Sequence, residues 1–128
     1  FKGFDSGIYA GLRMLEVLSN IDISLAVELD KLPKYYNTPE IKIPTSDEIK
    51  FQIIDKVIAY AKEKNYNCLT IDGLRVNNPT SWALVRASNT GPNITLRFEA
   101  TNEEELNSLK NEFTNLVIEY QKSFSQTN

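Results

Sequence analysis

The sequence predicts an α+β fold: a four-stranded antiparallel sheet with two amphipathic helices, preceded by helices that belong to a different unit. Three observations carry this. Two helix-length segments bear apolar stripes, one before and one after a group of short strand-like runs. The runs are separated by turn chemistry: Asp72-Gly73, then Asn77-Asn78-Pro79-Thr80, then Ser88 to Pro92. The last run alternates cleanly, with Ile94, Leu96 and Phe98 on one face and Thr95, Arg97 and Glu99 on the other.

Taken in order, Asp5 or Ser6 caps a first helix in which Ile8, Leu12, Leu15 and Leu18 fall at helical spacing. A second short helix covers about residues 24–31 and stops before Pro33. Helical period is lost over residues 35–45, where Pro39 and Pro44 favour extended backbone. That stretch reads as a linker or hinge, with one short strand at residues 41–43, and Tyr35-Tyr36 serves either inter-domain packing or the hinge. The domain proper spans residues 46–128, after a helical unit at residues 1–34.

Thr45 and Glu48 form a capping box for a helix carrying Ile49, Ile53, Ile54, Val57, Ile58 and Ala61, with Lys62 and Lys64 suited to its C-terminal end. Strands follow at residues 67–71, 74–77, 82–87 and 93–99. Asp72-Gly73 is a two-residue hairpin signal, since both residues tolerate positive φ. Trp82 reads as an inward-facing residue alternating with Leu84, the other reading being a sugar-stacking platform. Thr101 and Glu104 make a second capping box, and Glu103-Glu104-Glu105 complements the dipole of the final helix. Leu106, Leu109, Phe113, Leu116, Val117 and Tyr120 form its apolar stripe, and Ser125 to Asn128 are expected to fray.

A chain of 128 residues suits one domain plus a piece of another. A net charge of −3 argues against a nucleic-acid-binding face, though not against gripping one phosphate with local donors. The single cysteine, Cys68, excludes an internal disulfide and reads as a small core residue in a reducing, cytoplasmic setting. With no histidine, a Cys–His couple and a histidine metal site are excluded. No apolar run is long enough to span a bilayer, so no membrane partner is expected.

The segment Arg86-Ala87-Ser88-Asn89-Thr90-Gly91-Pro92 carries the chemistry. A guanidinium presents a planar fork of donors to phosphate oxygens and stays charged at any working pH. Ser88, Asn89 and Thr90 add neutral donors, and a tight loop aims backbone N–H groups into the same concavity. Gly91 is expected to take positive φ, with Pro92 stiffening the exit. The same residues also serve an ordinary turn, with Arg86 pairing a carboxylate such as Glu99.

The order Arg-Ala-Ser-Asn-Thr-x-Pro, after Asp72-Gly73-Leu74-Arg75-Val76 and Trp82-Ala83-Leu84-Val85, resembles the C-terminal domain of the α-D-phosphohexomutases, the bacterial phosphomannomutase/phosphoglucomutase group above all. Upstream, Gly3-Phe4-Asp5-Ser6-Gly7-Ile8-Tyr9-Ala10 resembles the helix closing that family's third domain, and Leu32 to Glu40 the connection after it. The resemblance implies a TATA-binding-protein-like fourth domain at residues 46–128. It also implies that residues 1–34 are the end of the third domain and that the chain, which begins at Phe1, is a C-terminal fragment.

It further implies an isomerase interconverting hexose 1-phosphate and hexose 6-phosphate through a phosphoserine enzyme and a bisphosphorylated sugar. Arg86, Ser88, Asn89, Thr90 and Gly91 would hold the non-reacting phosphate, with no catalytic or metal-ligating residue and no cofactor in this chain. The phosphoserine loop, the magnesium loop and the sugar-selecting loop are absent from it, so Mg2+ is expected only for the full-length enzyme. Mannose and glucose phosphates both stay open as ligands, and the remaining domains of the enzyme are the expected partners. Gly91 departs from the family pattern, in which glutamate is frequent, and this bears on substrate preference. Asp5, in a region where the family is acid-rich, is read as a helix cap rather than a metal ligand or base. The alternatives are a free-standing α+β module for a phosphorylated ligand or protein partner, and a purely structural domain.

Overall fold

The computed structural model describes Gly3 and residues 5–125, which divide into two compact units with the boundary between Lys34 and Tyr35. The first unit holds α1 (Gly7–Ser19) and α2 (Leu25–Leu29). Ser6, not Asp5, is the α1 cap, its side chain accepting the Tyr9 N–H, and Ser24 does the same for α2 through Val27. Neither helix buries a residue, and Ile8, Leu12 and Leu15 stand exposed.

The second unit is built on a fully antiparallel sheet of six strands: β1 (Tyr36–Asn37), β2 (Ile41–Pro44), β3 (Cys68–Leu69), β4 (Leu74–Asn77), β5 (Ser81–Ala87) and β6 (Asn93–Ala100). The order across the sheet is β1-β6-β5-β4-β3, with β2 also on the outer edge of β6. The four expected strands are its centre. Residues 35–45 do not run free as a linker: Tyr36 pairs with Ala100, and Ile41 to Pro44 pair with Leu96 to Asn93. Their extended character was legible; their partner was not. Pro44 is tolerated because β2 is an edge strand, where a missing N–H costs no ladder bond. Between the two strands Thr38 is buried, donating its N–H to Phe98 O and accepting the Phe98 N–H on its hydroxyl.

Helices α3 (Lys50–Glu63) and α4 (Glu103–Ser125) pack on one face of the sheet. The core joins Ile53, Val57 and Ala61 of α3, Leu109, Phe113 and Val117 of α4, and the inward residues Leu74, Val76, Ala83, Val85, Ile94, Leu96 and Phe98. Full burial of each large apolar side chain contributes about 1.5–3 kcal/mol. Cys68 packs half-buried against this core as expected. Of the tail expected to fray, Ser125 closes α4 and the rest lies outside the described residues.

Both capping boxes are corrected. Helix α3 starts at Lys50 after a turn, with Ile49 as its cap and no side-chain cap bond. The buried Thr45 hydroxyl instead donates to Ile43 O. At α4 the capping acceptor is Asn102, whose side chain takes the Glu105 N–H. Glu105 in turn accepts from the Thr80 and Ser81 hydroxyls, tying the helix start to the β4–β5 turn. The β3–β4 connection is wider than a two-residue hairpin: Leu69 pairs with Arg75, and of Asp72 and Gly73 only Gly73 has positive φ, at 93°.

Candidate functional site

Strand parity decides what each face of β5 can do. Ser81, Ala83, Val85 and Ala87 point into the core, so Trp82, Leu84 and Arg86 lie on the helix-free face. This corrects the inward placement of Trp82. Small residues fill the space beneath α3 and α4, and the Arg75 guanidinium lies over the indole, 4.4 Å from the ring centroid. The indole Nε1–H donates to Glu99 Oε1 at 3.0 Å, so the carboxylate considered for Arg86 is engaged elsewhere.

Arg86 pairs with Asp72, at 3.1 Å, and both side chains are well exposed. The pair borders an open groove of about 210 Å3 between the β3–β4 loop and β5, lined by Ile71, Gly73, Arg75 and Leu84 besides the pair itself. A glycine is required at position 73. Its φ is left-handed, and a Cβ there would sit 2.5 Å from Val85 O and 2.8 Å from Arg86 Cα.

Beyond Ala87 the chain turns through residues 88–92. The Ser88 N–H donates to Asn93 O and the Asn93 N–H to Gly91 O, both at 2.9 Å. The Ser88 hydroxyl accepts the Thr90 N–H at 3.3 Å and lies 3.4 Å from the Thr90 hydroxyl. Ser88 and Thr90 are therefore brought together, Asn89 is exposed at the tip, and Arg86 sits on the sheet face leading into the loop. Gly91 does not take positive φ, which among the described residues falls at Gly3, Asn65 and Gly73. Pro92 explains the difference, because the residue before proline is driven to extended backbone.

One residue that contacts the candidate loop was missed from sequence. Lys50 is only 4% exposed, and its ammonium donates to Ser88 O at 2.7 Å and Gly91 O at 3.3 Å, besides pairing with Asp47. A cation at the first residue of a helix opposes the helix dipole and calls for compensation, and that was the available signal. Among the described residues no group of three or more Cys, Asp or Glu is placed to hold a metal ion. No helix among them is long and apolar enough to cross a membrane.

The sheet and its paired helices define a two-layer α+β domain. Residues 40–116 match the C-terminal domain of phosphoglucomutase/phosphomannomutase, and the chain belongs to that family. It is 44% identical over 113 residues to phosphomannomutase/phosphoglucomutase of Pseudomonas aeruginosa, covering 88% of this chain and 24% of the relative. Phosphoglucomutase of Neisseria meningitidis serogroup B is 43% identical, over 90% of this chain and 25% of its own length. A solved structure of a phosphoglucomutase/phosphomannomutase family protein from Burkholderia thailandensis superposes with a TM-score of 0.73 at 38% identity, covering 91% of this chain and 24% of that one. The chain thus corresponds to about a quarter of these relatives, with 24% of the first.

Proposed function

We propose that this chain is the C-terminal, phosphate-holding part of a cytoplasmic phosphohexomutase acting on mannose or glucose phosphates. In that enzyme a phosphoserine elsewhere gives its phosphoryl group to a sugar hydroxyl. The bisphosphorylated sugar turns around, and its other phosphoryl group returns to the serine, so that hexose 1-phosphate and hexose 6-phosphate interconvert. Arg86, Ser88, Asn89, Thr90 and Gly91 hold whichever phosphate is not reacting. Binding energy from that remote group orients the reacting end, and phosphoryl transfer depends on such positioning. A loop that reads only the phosphate accepts the sugar from either end.

The observation that carries this reading is the placement of Arg86 on the open sheet face directly before a turn whose two hydroxyls converge. The divalent cation expected for the whole enzyme would supply charge stabilisation at the reacting phosphoryl group, and it belongs to a part of the enzyme beyond these residues. This chain alone would have no mutase activity; turnover by the pure chain above trace contamination would overturn that statement.

The test is a titration of the chain with glucose 6-phosphate and mannose 1-phosphate, followed by backbone amide NMR, with Arg86→Ala as control. Saturable shifts over residues 86–91 that vanish in the variant are expected. Equal shifts in parent and variant, or none in either, count against the clamp.

A further inference from the structure

We propose that Lys50 is the positioning residue of the phosphate loop: its buried ammonium sets the peptide planes of the turn so that the donors face outward. This rests on the phosphate-holding reading of the turn. Lys50 reaches the loop from 38 residues away at Ser88 O and 41 at Gly91 O, the two carbonyls that bracket the tip. A trans peptide holds its C=O and the following N–H antiparallel. With Ser88 O turned in to Lys50, the Asn89 N–H must point the other way, out of the protein. Gly91 O is likewise turned in, and the residue after it is Pro92, which has no N–H to misplace. The Thr90 N–H is held by the Ser88 hydroxyl, so the Asn89 N–H is the backbone donor that this arrangement aims outward.

The role is geometric more than electrostatic. Asp47 pairs with the ammonium, so the local charge is largely balanced. The ammonium also lies on the carbonyl side of the turn, the side opposite the outward donors. Water is a poor substitute at this position, because the Lys50 side chain is only 5% exposed. Without the ammonium Ser88 O loses its donor while Gly91 O keeps the Asn93 N–H, so the turn relaxes around the Ser88–Asn89 peptide until that carbonyl finds another partner. The Thr45 N–H, which donates to Pro92 O at 2.9 Å, pins the exit of the loop independently, so loss of Lys50 is expected to loosen the tip without releasing β6.

The test uses glucose 1-phosphate as probe and amide NMR of the chain as readout, comparing Lys50→Met, Lys50→Gln and Lys50→Arg with the parent. Met keeps the length and removes the donors, Gln keeps a weaker neutral donor, and Arg keeps the charge and several donors. In the ligand-free state, Lys50→Met is expected to shift the Asn89 and Thr90 amides while leaving those of β4 in place. Its dissociation constant should rise about tenfold, with Gln intermediate and Arg within about threefold of the parent. Rescue by Arg but not by Met separates positioning from a merely structural contribution.

Lys50→Met or Lys50→Gln binding as tightly as the parent, with unmoved loop amides, would overturn the proposal. Should the Met variant not fold, the Gln variant decides alone on the same criterion. A parent chain that shows no saturable shift over residues 86–91 overturns the phosphate reading itself. A parent that binds beside Lys50 variants that bind equally well overturns only the role given to Lys50.

Discussion

The Arg86 guanidinium donates to Asp72 Oδ2 at 3.1 Å, so the cation of the candidate clamp is already partnered when no ligand is present. The pair is exposed on both sides, and exposed ion pairs contribute about 0.2–1 kcal/mol. A charge-assisted hydrogen bond to phosphate contributes about 1.5–3 kcal/mol. Under the proposed phosphate-holding reading, a phosphate would therefore win Arg86 from Asp72, and Asp72 would hold the guanidinium on the open sheet face until it arrives.

If the chain is the phosphate-holding part proposed, Arg86→Ala in the full-length protein should lower mutase kcat/KM about tenfold to 150-fold, the equivalent of one lost charge-assisted contact. Asp72→Asn should change it by less than about fivefold, because only the weak competing pair is removed. Steady-state kinetics on folded variants measures both. An Arg86→Ala enzyme with parental kcat/KM would refute the clamp.

Glycines 73 and 91 should respond unequally to alanine. At Gly73 a Cβ would meet Val85 O at 2.5 Å, in a backbone conformation with φ of 93°. A side chain in that conformation costs on the order of 1–3 kcal/mol before the clash is counted. Gly73→Ala should therefore destabilise the domain by at least about 2 kcal/mol in urea unfolding. At Gly91 the nearest atom to a new Cβ is the Asn93 side-chain amide at 3.2 Å, and φ is not left-handed. Gly91→Ala should stay within about 0.5 kcal/mol of the parent. Similar losses at both positions would show that φ is not what distinguishes them.

Where a short-range pattern determined the structure, the sequence was a sound guide. Ile94, Leu96 and Phe98 alternate with polar neighbours, and β6 lies where that alternation runs. The stripe from Leu106 to Tyr120 faces the core along α4. Errors arose where a side chain had two competing partners. Thr45 and Thr101 both have capping spacing, yet Thr45 turns back to Ile43 O, and Asn102, one residue later than Thr101, caps α4 instead. The pairing of β2 with β6 joins residues about fifty positions apart, and nothing in the composition near Pro44 announces it. Trp82 misled because Ala83, Val85 and Ala87 can fill the inner face as well as Trp82, Leu84 and Arg86, and only the helices above decide. In the loop, Arg86, Ser88, Asn89 and Thr90 were visible as a donor set, whereas Lys50 reaches it only through the tertiary fold.

Acid should loosen the start of α4. Hydrogen bonds from Ser81, then from Thr80, hold the Glu105 carboxyl below its ordinary value of 4.5. A depressed folded-state value means stability that is present above about pH 4.5 and is lost as pH falls through the lower folded value. Glu105→Gln, which cannot ionise, should be less stable than the parent at pH 7, and the gap should shrink as pH falls below 4.5. Urea midpoints at pH 7, 4 and 3 measure this. A gap that is constant across them would rule out the carboxylate's part in anchoring the helix.

Alkali should act where the C-terminal end of α3 meets α4. Tyr66 and Tyr60 both donate to Glu112, at 2.9 and 3.0 Å, and the Tyr66 ring packs on the buried Phe113 with centroids 5.8 Å apart. Burial first, then the hydrogen bond and the charge of Glu112, push the Tyr66 hydroxyl from 10.0 up to about 12. Because the folded value is the higher one, the stabilisation is complete below pH 10 and is lost as pH rises from 10 toward 12, where the unfolded chain ionises first. Tyr66→Phe removes a hydrogen bond to a charged acceptor, which Tyr60 still partly satisfies, and should cost about 1–2 kcal/mol at pH 7. Above pH 10 the parent should lose stability faster than the variant, and the two urea midpoints should converge near pH 12. Tyr60 is raised in the same direction by burial and by Glu112, so the variant keeps a shallower alkaline slope of its own. Parallel slopes for parent and variant between pH 10 and 12 would show that Tyr66 ionises no less readily in the folded domain than in the unfolded chain.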